Sequence, residues 1–217
     1  MKDIPVFTTE NGVASLILQE IPVKGCAYIR LQATLAPEAL LQECILFCRM
    51  VGATHVYATG NEMLESKQLH TAIWEMAAMK ESLDDTDAAL WPVQVETMET
   101  FRKLYNEKIA NVPNAAWMSE REARKIAEAG EGYFVHREDN CIGIGIVRGS
   151  ELAFVASLCP GAGSTVVRAL THAINDSRII LQVASANEKA VALYEKLGFI
   201  KTREISRWFT VFAQADS

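Results

Sequence analysis

A short run of small residues, Pro160-Gly161-Ala162-Gly163, separates a stretch of β-forming residues from a segment with helical spacing. A helix start presents several N–H groups without backbone partners, together with the positive end of the helix dipole. Glycines at such a start let the oxygens of an anion approach the backbone, and Ser164 and Thr165 add hydroxyl groups at the same end. The run could therefore form a phosphate-binding turn. Taken alone, the two glycines favour a simple tight strand-to-helix turn, and the helix that follows further along the chain shifts the preference to the phosphate-binding turn.

The second stretch of interest follows this segment and reads as strand, turn, helix and stop. Arg178 to Ala184 alternates β-forming and apolar residues, which predicts a strand with a buried face. A helix with one apolar stripe follows, and Gly198 stands where a left-handed residue would end it. The stripe consists of Ala190, Leu193, Tyr194 and Leu197. Ser185 precedes Glu188 by three residues, a capping-box spacing, and Asn187 is a second candidate cap.

This helix resembles the last helix of the GCN5-related N-acetyltransferases, the GNAT superfamily of acetyl-coenzyme A enzymes. The matching residues are Asn187-x-x-Ala190-x-x-Leu193-Tyr194-Glu195-Lys196-Leu197-Gly198-Phe199. The order β-α-α-β-β-β-α-β-α-β expected over residues 91–212 is also that of the superfamily. The resemblance implies an α/β (α+β) fold with a mixed central sheet flanked by helices. It also implies acetyl-CoA as co-substrate and no metal.

The resemblance implies a coenzyme site around the glycine-containing run. Members of the superfamily bind the pyrophosphate with a Gln/Arg-x-x-Gly-x-Gly/Ala loop, where this chain has Leu158-Cys159-Pro160-Gly161-Ala162-Gly163. Leu158 departs from the pattern, and the loop has no basic residue. Splaying of the fourth and fifth strands would expose backbone groups near Ala156 to Leu158. The implied coenzyme-binding residues are Ala156, Leu158, Gly161, Ala162, Gly163, Ser164, Thr165 and Asn187.

The resemblance also implies the residues that move protons. Tyr194 matches the tyrosine that protonates the departing thiolate, and an ordinary pKa of about 10 keeps such a group protonated near neutrality. The general base is open between Glu151, at the start of the fourth strand, and His136, on the second, with a water chain as a third choice. Glu151 has a simpler interpretation, because it could be a solvated turn residue.

The first part of the chain predicts a degenerate half-copy of the same fold. Residues 12–21 and 26–34 are expected to be strands, a helix begins near Pro37, and 55–58 is a third strand. Residues 28–58 laid over 151–181 place strand on strand and helix on helix. Glu38-Ala39-Leu40 then stand where the second copy has Gly161-Ala162-Gly163, so we expect one coenzyme site only.

The remaining segments set the expected domain boundary. Residues 64–79 are expected to be helical, and the acidic run 81–87 is taken as the boundary between a domain at 1–85 and an acetyltransferase domain at 86–217. Residues 92–96 are expected to form a strand, with Thr97 as cap of the following helix. Gly143-x-Gly145 resembles part of a dinucleotide fingerprint, but it lies within a predicted strand and lacks a third glycine.

Composition excludes several classes of function. A formal net charge of −6 without a Lys/Arg cluster argues against nucleic-acid binding. No stretch of eighteen apolar, uncharged residues is present and the first residues lack a signal-peptide pattern, so we expect no membrane association and a cytoplasmic location. Five scattered cysteines do not make a disulfide framework, and Cys44 with Cys48, one helical turn apart, is read as core rather than as a metal site.

The leading hypothesis is an N-acetyltransferase that acts on a primary amine of a small molecule or peptide, with homodimerisation left open. One alternative is a non-catalytic acyl-CoA-binding or interaction protein, motivated by Leu158 in the loop. A nucleotide-dependent oxidoreductase is a more distant alternative, resting on Gly143-x-Gly145. Acceptor choice is expected to depend on the loop at about residues 110–120 and on the N-terminal half.

Overall fold

The computed structural model describes residues 5–110, 112 and 116–214. Within them the strands are β1 Val6–Thr9, β2 Gly12–Ile17, β3 Cys26–Thr34, β4 His55–Thr59, β5 Leu69–Met79, β6 Ala89–Pro92, β7 Gly132–Arg137, β8 Asn140–Arg148, β9 Glu151–Ser157, β10 Arg178–Ala184 and β11 Ile200–Ala213. The α-helices are α1 Ile21–Lys24, α2 Pro37–Met50, α3 Met98–Ile109, α4 Glu120–Glu128, α5 Gly163–Thr171 and α6 Glu188–Lys196.

The chain forms two compact units, one of Met1–Ala72 with Ile205–Ser217 and one of Ile73–Glu204. Strands β5 and β11 each begin in one unit and end in the other. The units differ from the expected division at 85/86. The acidic run lies inside the second unit, where Asp84 forms an ion pair with Arg168 at 2.7 Å and Asp85 is hydrogen-bonded to His172 at 2.8 Å.

In the first unit the strand order is β1-β2-β3-β4-β11. The pair β3 and β4 is parallel and the other pairs are antiparallel. Helix α2 is the crossover between the parallel strands and buries Leu40, Cys44 and Cys48 completely. Burial raises the pKa of Cys44 to about 12 and that of Cys48 to about 11, which disfavours the metal-binding thiolates. The expected β-β-α-β order and the core interpretation of these cysteines are confirmed.

In the second unit the strand order is β11-β5-β10-β9-β8-β7-β6. Strands β9 and β10 are parallel, and the remaining pairs with a described register are antiparallel. Helices α5 and α6 pack on one face with the cluster around Val166, Leu170 and Phe199. Helices α3 and α4 pack on the other face with the cluster around Phe101, Ile126 and Ile144. The expected mixed sheet flanked by helices is confirmed.

Residues 64–79 are not a helix, and this prediction is wrong. A 3-10 turn covers Glu62–Ser66, and β5 pairs with β10 over seven residues, from Ile73 opposite Ala184 to Met79 opposite Arg178. The run EMAAMK consists of strong helix formers, so its local propensity favours the helix that was predicted. Burial on both faces of the strand removes the alternation that identifies an amphipathic strand, and strand pairing overrides the local propensity.

Two smaller predictions also change. The strand expected at 92–96 is β6, Ala89–Pro92, which pairs with β7 and ends where the proline interrupts the ladder. Thr97 precedes α3 as expected, but its hydroxyl accepts from the Gln94 N–H rather than from the helix. The capping box of Ser119 and Glu122 at α4 is confirmed. No helix in the described part of the chain is long and apolar enough to cross a bilayer.

Candidate active site

The parallel strands β9 and β10 separate soon after they meet. They are paired only at Glu151 with Ile180 and at Leu152 with Leu181. Each strand continues to pair with its outer neighbour, β9 with β8 as far as Ser157 and β10 with β5 as far as Ala184. The edges that face each other beyond Leu152 and Leu181 therefore have no strand partner, and we call the opening between them the β9–β10 gap.

Strand alternation decides which backbone groups of β9 point into the gap. The Leu158 N–H donates to the Ile142 carbonyl at 2.8 Å, so Leu158 and, two residues earlier, Ala156 turn their backbone groups toward β8. The groups of Val155 and Ser157 then point the other way, into the gap. The prediction for the backbone of Ala156 and Leu158 is corrected accordingly, and their side chains pack against the α3/α4 cluster. Val155 and Ser157 could have been predicted only with the knowledge that β8 pairs with the opposite edge of β9.

A β-bulge lies where the gap begins. Ile146 is opposite Phe154 and Val147 is opposite Leu152, so Ala153 is the extra residue on β9. Bulges redirect backbone groups and increase local twist. Ala153 directly follows the last residue that pairs with β10, so the bulge turns β9 away from β10 at this point. The sequence carries no signal for it.

The glycine-containing loop lies at the open end of the gap and leads into α5. Gly161 has φ of +80°, a left-handed conformation that suits glycine, and a side chain there would meet no atom within 4 Å. Helix α5 begins at Gly163, has no side-chain cap and has no acidic residue in its first turn. Ser164 and Thr165 lie half-buried in that turn. The structure thus brings the predicted loop residues Gly161 to Thr165 together around unpaired helix N–H groups.

Gly143 and Gly145 bring α5 close to the sheet. A Cβ at Gly143 would lie 2.3 Å from Val166 Cγ2, and a Cβ at Gly145 would lie 2.3 Å from Leu170 Cδ1. Any side chain at either position would push the helix away. The two glycines therefore position the start of α5 and are unrelated to a dinucleotide fingerprint.

Tyr194 lies on α6, within the apolar cluster that the helix shares with α5. It is 8% exposed and packs edge-on against Phe199 with ring centroids 5.8 Å apart. Burial raises the pKa of Tyr194 to about 12, so the hydroxyl is fully protonated at neutral pH. No group in the described part of the chain forms a hydrogen bond with this hydroxyl, and its oxygen is not among the fully buried unpaired polar atoms. Within the described residues, the Tyr194 hydroxyl is therefore a hydrogen-bond donor without a partner.

Helix α6 packs against the start of α5. A Cβ at Gly163 would lie 3.0 Å from Leu193 Cδ2, so glycine is what lets the neighbour of Tyr194 approach the loop. The side chain of Asn187 accepts from the Ala190 N–H at 3.3 Å and caps α6, which makes Asn187, not Ser185, the N-cap. Gly198 ends the helix with φ of +90°, as expected.

Comparison with known proteins identifies the fold to which this geometry belongs. The model of the FR47-like protein family matches residues 159–209, which run from the loop through α5, β10 and α6 into β11. A GCN5-related N-acetyltransferase from Anabaena variabilis has a TM-score of 0.61 at 13% identity, over 92% of this chain and 59% of that one. The chain has the GNAT fold. The predicted resemblance is thereby confirmed at the level of fold.

Two further solved structures have the same fold. A GCN5-related N-acetyltransferase from Sphaerobacter thermophilus has a TM-score of 0.57 at 10% identity, over 95% of this chain and 79% of that one. A conserved protein of unknown function from Staphylococcus epidermidis has a TM-score of 0.58 at 13% identity, over 96% and 93%. No curated protein is similar enough in sequence to count as a match.

The two residues predicted as candidates for the general base lie in different places. Glu151 lies at the closed end of the gap, where its carboxylate accepts from Gln182 Nε2 at 3.2 Å. Ser157 is six positions further along β9, about 20 Å at the ordinary rise of a strand. His136 lies on β7, with β8 between it and β9, and stacks on Trp91 at 4.6 Å. Only Glu151 borders the gap.

The parallel strands of the first unit do not open in the same way. Strands β3 and β4 pair over five residues, from Cys26 with His55 to Arg30 with Thr59. The chain after β4 stays close to β3, because a Cβ at Gly60 would lie 2.3 Å from the Leu31 carbonyl oxygen, and Asn61 donates to Thr34 at 3.3 Å. The first turn of α2 contains an acidic residue, Glu38. The described part of this unit therefore lacks both features that define the candidate site of the second unit.

The described residues contain neither a metal site nor the whole of the loop expected to contact the acceptor. No three His, Cys, Asp or Glu side chains among them are grouped to hold a metal ion. The acceptor loop expected at about 110–120 is described only in part, since residues 111 and 113–115 lie outside the described residues.

Proposed function

We propose that this chain is an acetyl-CoA-dependent N-acetyltransferase. The observation that carries the proposal is the β9–β10 gap, which meets an uncapped helix start at its open end. An extended ligand with amides can bond to a free strand edge as an added strand does, and Val155 and Ser157 offer such an edge. The pantetheine arm of coenzyme A is extended and has two amides, and its pyrophosphate is the kind of anion that helix starts bind.

Gly161, Ala162, Gly163, Ser164 and Thr165 are the residues we assign to the pyrophosphate. Because the loop has no basic side chain, backbone N–H groups and the two hydroxyls supply the contacts. Leu158, at the position of the family's Gln or Arg, packs its side chain against the α3/α4 cluster instead. We therefore expect weaker phosphate binding than a loop with an arginine would give.

The reaction is direct transfer. The lone pair of the neutral amine attacks the acetyl carbonyl, the carbon–sulfur bond breaks, and the Tyr194 hydroxyl protonates the departing thiolate. The proton lost by the amine passes to Glu151 or to water, and the tyrosinate regains its proton from solvent. Backbone N–H groups beside the bulge at Ala153 are the candidates for stabilising the oxyanion that forms during attack.

The test is turnover of acetyl-CoA with a panel of primary amines, followed as thiol release and as acetylated product by mass spectrometry. We expect thiol release that requires both an amine and Tyr194. Binding of acetyl-CoA without turnover of any amine would favour the non-catalytic acyl-CoA-binding protein. Absence of both would leave the GNAT fold without either function.

A further inference from the structure

Polar side chains line one face of the second unit beside the closed end of the gap. Gln182 on β10 is directly opposite Glu75 on β5, and residues directly opposite share a face. This face is turned away from α5 and α6, because Ile179, Leu181 and Val183 of β10 pack toward those helices. Gln182 also donates to Glu151 at 3.2 Å, so three neighbouring strands contribute to the row.

Glu75 is a buried carboxylate that holds an arginine. Its side chain is 12% exposed. Its Oε2 accepts from Arg203 Nη2 at 2.6 Å and from Nε at 3.1 Å, and its Oε1 accepts from the Thr202 hydroxyl at 2.8 Å. The hydrogen bonds from Arg203, and then from Thr202, lower the pKa of Glu75, so it is an anion at neutral pH. Both carboxylate oxygens are therefore used to hold residues of β11.

The Arg203 guanidinium is held on one side and free on the other. Its side chain is 68% exposed, although two of its donors end on a single oxygen. A guanidinium has five N–H donors, so three remain. In the described part of the chain Arg203 has no ion-pair partner other than Glu75. A positioned guanidinium with free donors is suited to bind a carboxylate.

The spacing of the row fits an amine and a carboxylate that are several bonds apart. Glu151 on β9 and Glu75 on β5 are two strands apart, about 10 Å at ordinary strand spacing. We propose that Arg203 binds the carboxylate of an amino-acid acceptor, and that the reacting amine is the one at the end of its side chain, because an α-amine is too close to its carboxylate to lie toward Glu151 and the gap. This inference rests on the proposed function for its reaction but not for its binding site.

The experiment is equilibrium binding to the protein loaded with coenzyme A. The probes are the standard amino acids, each as the free acid and as its carboxamide, which keeps the amine and removes the negative charge. We expect at least one amino acid to bind about tenfold or more tightly than its carboxamide, a difference typical of a charge-assisted bidentate contact. Arg203→Gln should reduce that ratio to about one.

Three further variants keep the result interpretable. Glu75→Gln combined with Arg203→Gln avoids a buried unpaired carboxylate and should lose the same preference while folding normally. Arg203→Lys keeps the charge without the planar fork and should retain part of the preference. Arg178→Gln removes an exposed arginine whose charge also lowers the pKa of Glu75. This variant should leave the preference for the free acid intact.

The outcomes separate this inference from the proposed function. Equal binding of every acid and its carboxamide, or a preference that survives Arg203→Gln, overturns the assignment of Arg203. A preference that depends on Arg203 without release of coenzyme A from acetyl-CoA supports the acceptor site and contradicts the transfer reaction.

Discussion

Tyr194 is a buried tyrosine whose hydroxyl has no hydrogen-bond partner among the described residues. A buried hydroxyl normally finds a partner, because desolvating it without one costs free energy. In this chain the ring contributes to the core while no described group bonds to the hydroxyl. Such a hydroxyl has little structural role, which separates its effect on rate from its effect on stability.

We therefore expect Tyr194→Phe to lower kcat by about a hundredfold or more, the range of a general acid, with a change in unfolding free energy below about 1 kcal/mol. The measurements are steady-state thiol release and thermal melting of both proteins. An unchanged kcat would remove Tyr194 from the mechanism, and a large loss of stability would show that the hydroxyl has a structural partner.

The raised pKa of Tyr194 also predicts a pH dependence. The pKa is 10.0 for an ordinary tyrosine and about 12 in the folded protein, so the folded state holds this proton more tightly. The stabilisation of the folded state that follows from this raised pKa is fully present below about pH 10, and it is lost as the pH rises from 10 to 12. Wild type should lose stability relative to Tyr194→Phe over that window, in urea unfolding at each pH. A constant difference would contradict the burial of the phenol.

At the scale of elements, the site depends on the separation of β9 from β10. Amides of β9 that face β8 are hydrogen-bonded, and those that face the gap are not. In hydrogen exchange we expect the Val155 and Ser157 amides to exchange faster than those of Phe154 and Ala156. Acetyl-CoA should then protect Val155 and Ser157 specifically, while the other two are the internal control. Equal exchange of all four amides would mean that the gap is closed.

The close approach of α5 to β8 predicts a compensating pair. Gly145→Ala should destabilise the protein by about 1–3 kcal/mol, because the new Cβ has no room beside Leu170. Leu170→Ala alone should cost about 2–5 kcal/mol through a cavity. In the double variant the methyl group enters that cavity, so the total should be less than the sum of the two. Additive losses in urea unfolding would show that the two residues are not in contact.

Across the whole molecule, the elements that could be predicted from the sequence are those whose local signals agree with one another. Helix α4 to helix α6 was predictable because local signals agreed: the capping box at Ser119, the hairpin turns and the stop at Gly198. Strand β5 was missed because a strand covered on both faces has no alternation and its partner β10 is a hundred residues away along the chain. The loop and Tyr194 were predictable, whereas Val155, Ser157 and Ala153 depend on register.

The difference between the two units explains why we expect one coenzyme site per chain. Each of the two units contains its own parallel strand pair joined by a helix. Among the described residues, only the pair of the second unit opens and is followed by a helix start free of acidic residues. By the overlay of 28–58 on 151–181, Ala39 in the first turn of α2 is the counterpart of Ala162. It is exposed, so it offers a matched control for a charge placed at the start of α5.

The most direct test of the central claim is the melting temperature with and without saturating acetyl-CoA, for wild type, Ser164→Glu and Ala39→Glu. A ligand at a hundred times its dissociation constant stabilises the native state by about 2.7 kcal/mol. A glutamate at Ser164 suits the helix dipole but repels pyrophosphate. We predict a clear rise for wild type and Ala39→Glu and none for Ser164→Glu. No rise in wild type, or the same rise in Ser164→Glu, would contradict a coenzyme site at the start of α5.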